Sequence, residues 1–303
     1  MYKEIDSNKR RTAFLIGFFL IFIIAFGYVL SWYFNNYFIL VIAVIIATTQ
    51  ALVSYYYSDS ITLAVSGAKE VPRKEPYLTL HRKVENLAIT AGLPKPKIYI
   101  INDSAPNAFA TGRDPKYASI AVTSGLLEKL NKSELEGVIA HELSHVGNYD
   151  IRLMTIVVVL VGVVALISDF FLRWTWFGGG RRRSDGEGGG QLQLILLIVA
   201  IVMAILAPLA ASLMQLAISR KREYLADASG ALLTRYPEGL AEALEIISQD
   251  PEPLEVANKA TAHLYIESPF KESSHNQGWL SGLFETHPPV GERIKRLRAM
   301  ISK

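Results

Sequence analysis

Thr12 to Ser58 is a run of 47 residues without a single Asp, Glu, Lys or Arg. A helix crosses the hydrocarbon core of a bilayer in about 20 residues. The run therefore holds two crossings, and Asn35-Asn36 sits where the chain must turn. Trp32, Tyr33 and Tyr37 flank that turn, as aromatic side chains do at a membrane surface. A cleaved signal peptide would show an apolar stretch of about 7–15 residues and then a small-x-small cleavage site. Here no such site follows, and a second apolar stretch comes at once. The composition of all 303 residues agrees: half are apolar and only 19% charged, against about 25% charged in soluble domains. Such hydrophobicity excludes disorder. A net charge of +3 lacks the basic excess of a nucleic-acid binder. Cysteine is absent, so disulfides, thiolate metal sites and a cysteine nucleophile are excluded. Any metal must be held by His and carboxylates.

Leu153 to Leu172, interrupted only by Asp169, is a third expected span. Leu192 to Ile218 is a fourth, kinked at Pro208. Counting Lys and Arg within about 20 residues of the span ends gives twelve on the side of the N-terminus and four opposite, with Arg181–Arg183 as a local exception. The N-terminus is therefore expected on the cytoplasmic side. The domain plan is two membrane helices in 1–58, a cytoplasmic part in 59–152, two more membrane helices in 153–219 with an external loop at 173–190, and a second cytoplasmic part in 220–303. Gly178 to Gly190 (GGGRRRSDGEGGG) is low in complexity and reads as a flexible connection.

Within the polar parts, Leu80, Val84, Leu87 and Ala91 repeat at helical spacing over 77–91, stopped by Gly92-Leu93-Pro94. Lys97–Ile101, Asn107–Thr111 and Ala118–Thr123 read as short strands. Ser133–Asn148 reads as a helix with Ser133 and Glu136 as its capping pair. A long helix is expected from the fourth span through Arg220 to Leu233. The tail from Gly291 carries Ile294, Leu297 and Ile301 on one face.

The string His141-Glu142-Leu143-Ser144-His145 carries the chemistry. Two His at i and i+4 lie on one helix face and can reach one metal, with the intervening Glu beside it. Downstream, Arg220-Lys221-Arg222-Glu223-Tyr224-Leu225-Ala226-Asp227 places Glu223 and Asp227 four apart. His141, His145 and Glu223 would make a His-His-Glu zinc site with one position open to water. Asp227 is placed to accept the outer N–H of a ligand His. The plainer alternative is a charged helix leaving the membrane, with Glu223 and Asp227 paired to Arg220 or Arg222. In the zinc reading Glu142 takes the proton of the attacking water, and a further donor is needed for the oxyanion. His287, in Thr286-His287-Pro288-Pro289, is the first candidate and Arg220 the second. Asp150, five residues past His145, fits either an outer partner or a charge at the membrane boundary. His81, on a charged helix face with Arg82 and Lys83, and His263 and His275, in polar stretches, receive no role.

HELSH, REYLAD, NAFATG and THPP together resemble the HtpX-type membrane zinc metalloproteases, relatives of the eukaryotic CAAX prenyl endopeptidases, over nearly the whole chain. The resemblance implies a mostly α membrane protein of about four transmembrane helices plus a gluzincin-like α+β zinc metalloprotease domain. It implies one zinc ion bound by His141, His145 and Glu223, Glu142 as general base, and a strand from Asn107 beside the cleft, where Asn107 would bind substrate backbone. The implied activity is proteolytic quality control of membrane and unfolded proteins at the cytoplasmic face of the cell membrane, with the lipid bilayer and no nucleic acid as surroundings. The alternatives are a non-proteolytic zinc-binding scaffold and a CAAX-type processing peptidase. The charges flanking the motif (Glu134, Glu136, Asp150, Arg152) count against a protease whose motif lies within the hydrocarbon.

Overall fold

The computed structural model describes residues 2–178, 219–258, 260–270 and 288–301. Helices α1 (Tyr2–Tyr33) and α2 (Tyr37–Tyr56) form the expected hairpin. Asn35 takes the left-handed conformation at φ 48°, which Asn tolerates better than most residues. Asn36 caps α2 by accepting the Phe38 N–H, so the Asn pair turns the chain for two distinct reasons. Both helices are long and apolar enough to cross a membrane, and most of their apolar surface is unburied. They meet tightly at one point: a Cβ on Gly27 would lie 2.1 Å from that of Ala43. Close contact of small residues is how helices associate where water supplies no hydrophobic drive.

A short α3 (Ser58–Val65) leads into the polar domain. Its sheet has the order β1 (Lys69–Glu70), β2 (Lys97–Ile101), β4 (Ser119–Thr123), β3 (Ala108–Thr111). β2 and β4 run parallel, while β1 and β3 are antiparallel to their neighbours. All three longer strands fall within one residue of expectation. The two faces enter two cores. Ile98, Ile100, Ile120 and Val122 pack with Val84 and Ala88 of α4 (Leu78–Thr90) and with Val138, Ile139 and Leu143 of α6 (Lys132–Gly147). Ile101, Phe109 and Ala121 face Leu63, Met154, Leu264 and Tyr265. Burial on both faces explains why β4 carries no charged residue. Between β4 and α6 lies α5 (Ser124–Lys129).

After α6 the chain bends by 83° into α7 (Asp150–Gly178), which contains the third expected span. Among the described residues two helices meet the length and hydropathy of a membrane span alone, or up to three if α6 and α7 count as one bent span. The fourth expected span, 192–218, and the loop beyond Gly178 lie outside the described residues. Three helices follow: α8 (Arg220–Thr234), α9 (Pro237–Gln249) and α10 (Val290–Arg298).

Four expectations need correction. The capping box of α6 is formed by Asn131 and Glu134, not Ser133 and Glu136; an Asn cap two residues earlier leaves both reciprocal bonds intact. α8 does not continue from a preceding span, because Ser219 is extended (φ −142°, ψ 113°) and starts the helix afresh. In the tail Leu297 is buried, but Ile301 is 55% exposed because α10 stops at Arg298. His81 and His263 are buried, with Nε2 3.1 Å from the Val71 carbonyl and 3.0 Å from the Met154 carbonyl, respectively.

Candidate metal centre

The HELSH motif sits in the last turns of α6, buried on nearly all sides. α8 crosses it closely: a Cβ on Gly230 would lie 3.0 Å from the His141 backbone nitrogen and 3.2 Å from its Cα. That contact brings Glu223 and Asp227, on the same helix, against the two histidines.

The Nε2 atoms of His141 and His145 are 3.2 Å apart. Glu223 oxygens lie 3.8 Å from the first and 3.6 Å from the second. Each ring turns its other nitrogen to a carboxylate: Asp227 Oδ1 is 3.0 Å from His141 Nδ1, off the ideal N–H line, and Asp150 Oδ2 is 3.0 Å from His145 Nδ1. A carboxylate at Nδ1 favours the tautomer whose Nε2 is a bare lone pair. Two such lone pairs and a carboxylate then converge with no donor among them, an arrangement that a cation relieves. Ligand nitrogens about 2.0–2.1 Å from a tetrahedral zinc stand roughly 3.3 Å from each other, close to the separation found. The set of two nitrogens and one oxygen fits zinc.

The carboxylates around the centre favour positive charge there, whether a proton or a metal ion carries it. Burial disfavours a charged His145, but Glu223 and Asp150 overcome it and raise the group to about 9. Burial lowers His141, with Asp227 opposing. Burial lifts Glu142 to about 7, with Glu223 adding and with His145, the Ala110 N–H and Arg293 resisting. Burial also works against ionised Asp227, yet the Arg293 guanidinium holds it at about 2. Arg293 is a site residue that the sequence reading did not find. It is wholly buried on α10 and grips Asp227 through Nε–Oδ2 (2.9 Å) and Nη2–Oδ1 (2.8 Å), while Nη1 donates to the Ile266 carbonyl at 2.8 Å. A visible signal existed: Arg293 and Leu297 are four apart and share the buried face of that helix.

Of the other expected site residues, Arg220 is exposed on α8, and His287 lies outside the described residues. Asn107 is buried at the start of β3. Its Oδ1 accepts the Ala108 N–H and its Nδ2 donates to the Glu267 carbonyl at 3.1 Å. The outer edge of β3 is engaged as well, since the Ile266 N–H donates to the Ala108 carbonyl at 3.0 Å. His141, Glu142, His145 and Glu223 are only 1%, 2%, 5% and 5% exposed, so a substrate needs an opening that this arrangement does not offer.

The sequence model of peptidase family M48 matches residues 74–301. The chain belongs to peptidase family M48. A protein named Protease HtpX homolog from Caldanaerobacter subterraneus is 45% identical over 303 residues, covering 99% of this chain and 98% of that one. Another of that name from Listeria monocytogenes is 45% identical over 309 residues, covering 99% and 100%. The crystal structure of S. mikatae Ste24p aligns with 98% of this chain and 67% of its own, at 22% identity and a TM-score of 0.49. The M48 chain is thus a membrane metallopeptidase of the HtpX type. M48 peptidases depend on zinc, and His141, His145 and Glu223 form a possible metal site whose ligand atoms lie within 4.8 Å of one another.

Proposed function

We propose that the chain is a membrane-integrated zinc endopeptidase that cleaves misfolded or damaged membrane proteins at the cytoplasmic face of the cell membrane. The observation that carries this reading is the convergence of His141, His145 and Glu223, with Glu142 buried beside them. One zinc ion per chain would be held by those three side chains, supplying Lewis acidity to a water and to the scissile carbonyl. Glu142 acts as general base, accepting a proton from the attacking water and passing it to the leaving nitrogen. Asp227 and Asp150 hold the imidazoles by their outer nitrogens, and Arg293 holds Asp227. His287 supplies the oxyanion donor, ahead of the exposed Arg220. Asn107 and β3 receive an extended substrate backbone by strand pairing once the segment around Ile266 gives way.

The proposed domain order is two membrane helices in 1–58, the first half of the peptidase in 59–152, two membrane helices in 153–219 and the second half in 220–303. Lys and Arg placement supports a cytoplasmic peptidase. α7 begins five residues after His145, so the centre lies within about 10 Å of helix rise from the membrane segment. That suits substrates whose cut sites emerge from the bilayer.

The test compares detergent-purified chain with Glu142→Gln, both loaded with zinc, on casein and on unfolded membrane proteins. Cleavage by the native chain, lowered about 10²–10⁴-fold in the variant, supports the reading. Equal cleavage by both refutes the role of Glu142. One tightly held zinc with no cleavage of any of these substrates refutes the broad endopeptidase and points to the scaffold.

A further inference from the structure

α1 opens with charged and polar residues before its apolar run, and its neighbours Lys9, Arg10 and Arg11 are exposed. Asn8 is 1% exposed. Burying an amide without partners costs several kcal/mol, so its bonds show what it is for. Its Nδ2 donates to Asp150 Oδ1 at 2.7 Å and to the Asn148 carbonyl at 3.1 Å. Its Oδ1 accepts from Arg222 Nη1 at 3.3 Å. The amide orientation is fixed by this chemistry, because only the NH₂ can face a carboxylate and only the oxygen a guanidinium.

Arg222 Nε also lies 3.4 Å from Asp150 Oδ1. One oxygen of Asp150 is therefore held by Asn8 and Arg222, and the other is the one on His145 Nδ1 at 3.0 Å. Three helices that are remote in sequence meet here. α7 brings the carboxylate, α8 brings the Arg next to Glu223, and α1 brings the amide. A carboxylate on a half-free side chain can rotate away from an imidazole; one whose first oxygen is held from two sides cannot.

We propose that Asn8 is a positioning residue for the metal centre: by holding Asp150 Oδ1 it aims Oδ2 at His145, which makes the first membrane helix a working part of the peptidase. The inference rests on the reading of His145 as a metal ligand. The α1 helix is then more than an anchor, and loosening its cytoplasmic end loosens the zinc ligand.

The experiment uses the full chain in detergent, with zinc affinity measured by chelator competition and kcat and KM measured on casein. Asn8→Leu keeps the branched shape and heavy-atom count and removes both kinds of bond. It is expected to weaken zinc binding about tenfold, the low end of the loss seen for outer partners of metal ligands, and to lower kcat with KM little changed. The control is Thr12→Val, one turn further on, where a buried hydroxyl has no hydrogen-bond partner; its zinc affinity stays native. The decisive readout is the cycle with Asp150→Asn. If Asn8 acts through Asp150, Asn8→Leu adds nothing to the loss already caused by Asp150→Asn. Native zinc affinity in folded Asn8→Leu, or full additivity in the cycle, overturns the proposal. Should Asn8→Leu fail to fold, Asn8→Ser carries the same cycle with the same two outcomes. His145→Ala separates the underlying reading: if it keeps stoichiometric tight zinc, the metal assignment itself fails, whatever Asn8 does.

Discussion

Gly230→Ala tests whether the contact between α6 and α8 sets the geometry of the centre. The added Cβ would meet the His141 nitrogen at 3.0 Å, its Cα at 3.2 Å and the Ala140 carbonyl carbon at 3.3 Å. All three are backbone atoms and cannot swing aside. Reaching an ordinary contact of about 3.5 Å moves the helices apart by about 0.5 Å. Two terms then oppose each other in stability. Overpacking costs about 1–3 kcal/mol, and replacing Gly by Ala within a helix returns about 1 kcal/mol. The net loss is expected to be small, about 0–2 kcal/mol. The site has no such compensation. Glu223 and Asp227 move with α8, away from the His141 and His145 nitrogens now 3.0–3.8 Å distant. A misplacement of about 1 Å can cost about 100-fold in rate, so half of that predicts roughly tenfold. The assay pairs thermal unfolding with zinc competition and kcat/KM on casein. Gly137→Ala is the contrast: its Cβ meets the Leu240 backbone at 2.7 Å, away from the ligands, and should cost more stability and less zinc affinity. Gly162→Ala, inside α7 with nothing within 4 Å, should gain up to about 1 kcal/mol of stability and leave zinc affinity unchanged. Native zinc affinity and kcat/KM in Gly230→Ala would refute the idea that this helix contact sets the centre.

Arg293→Met leaves Asp227 buried without its counter-ion and should destabilise the chain by about 3–5 kcal/mol, read as a fall in melting temperature. His287→Ala should lower kcat about 10²–10³-fold, the cost of losing one oxyanion donor, while zinc stays bound; an unchanged kcat would shift that role elsewhere. Removing zinc with a chelator should abolish cleavage and lower the melting temperature, because a ligand that binds only the folded state stabilises it. Readdition of zinc should restore both.

Much of this centre was legible in the chain. Spacing alone put His141 and His145 on one face, and a carboxylate pair at Glu223 and Asp227 was the natural complement. The membrane hairpin followed from the absence of charge and an Asn pair. What stayed hidden depended on tertiary contact. Asp150 read equally well as a boundary charge, and only the 83° bend between α6 and α7 turns it back onto His145. Arg293 looked like one more basic residue on a surface helix, because a buried guanidinium is sensible only beside a buried carboxylate from another helix. His81 and His263 looked solvated because their backbone acceptors, at Val71 and Met154, come from elsewhere in the fold. The cap of α6 was misplaced by two residues because Asn131, Ser133, Glu134 and Glu136 offer two overlapping patterns, and sequence does not choose between them.

Glu223 follows His145 by 78 positions, although the two side chains are 3.6 Å apart. During synthesis at about 5–20 residues per second, that interval lasts about 4–16 s. For that time the chain has its histidines and Glu142 but not its third donor, and Arg293 comes later still. A nascent copy therefore lacks the full set of side chains until the second half of the peptidase domain has been made. The proposed centre is thereby completed only by the last-made part of the chain.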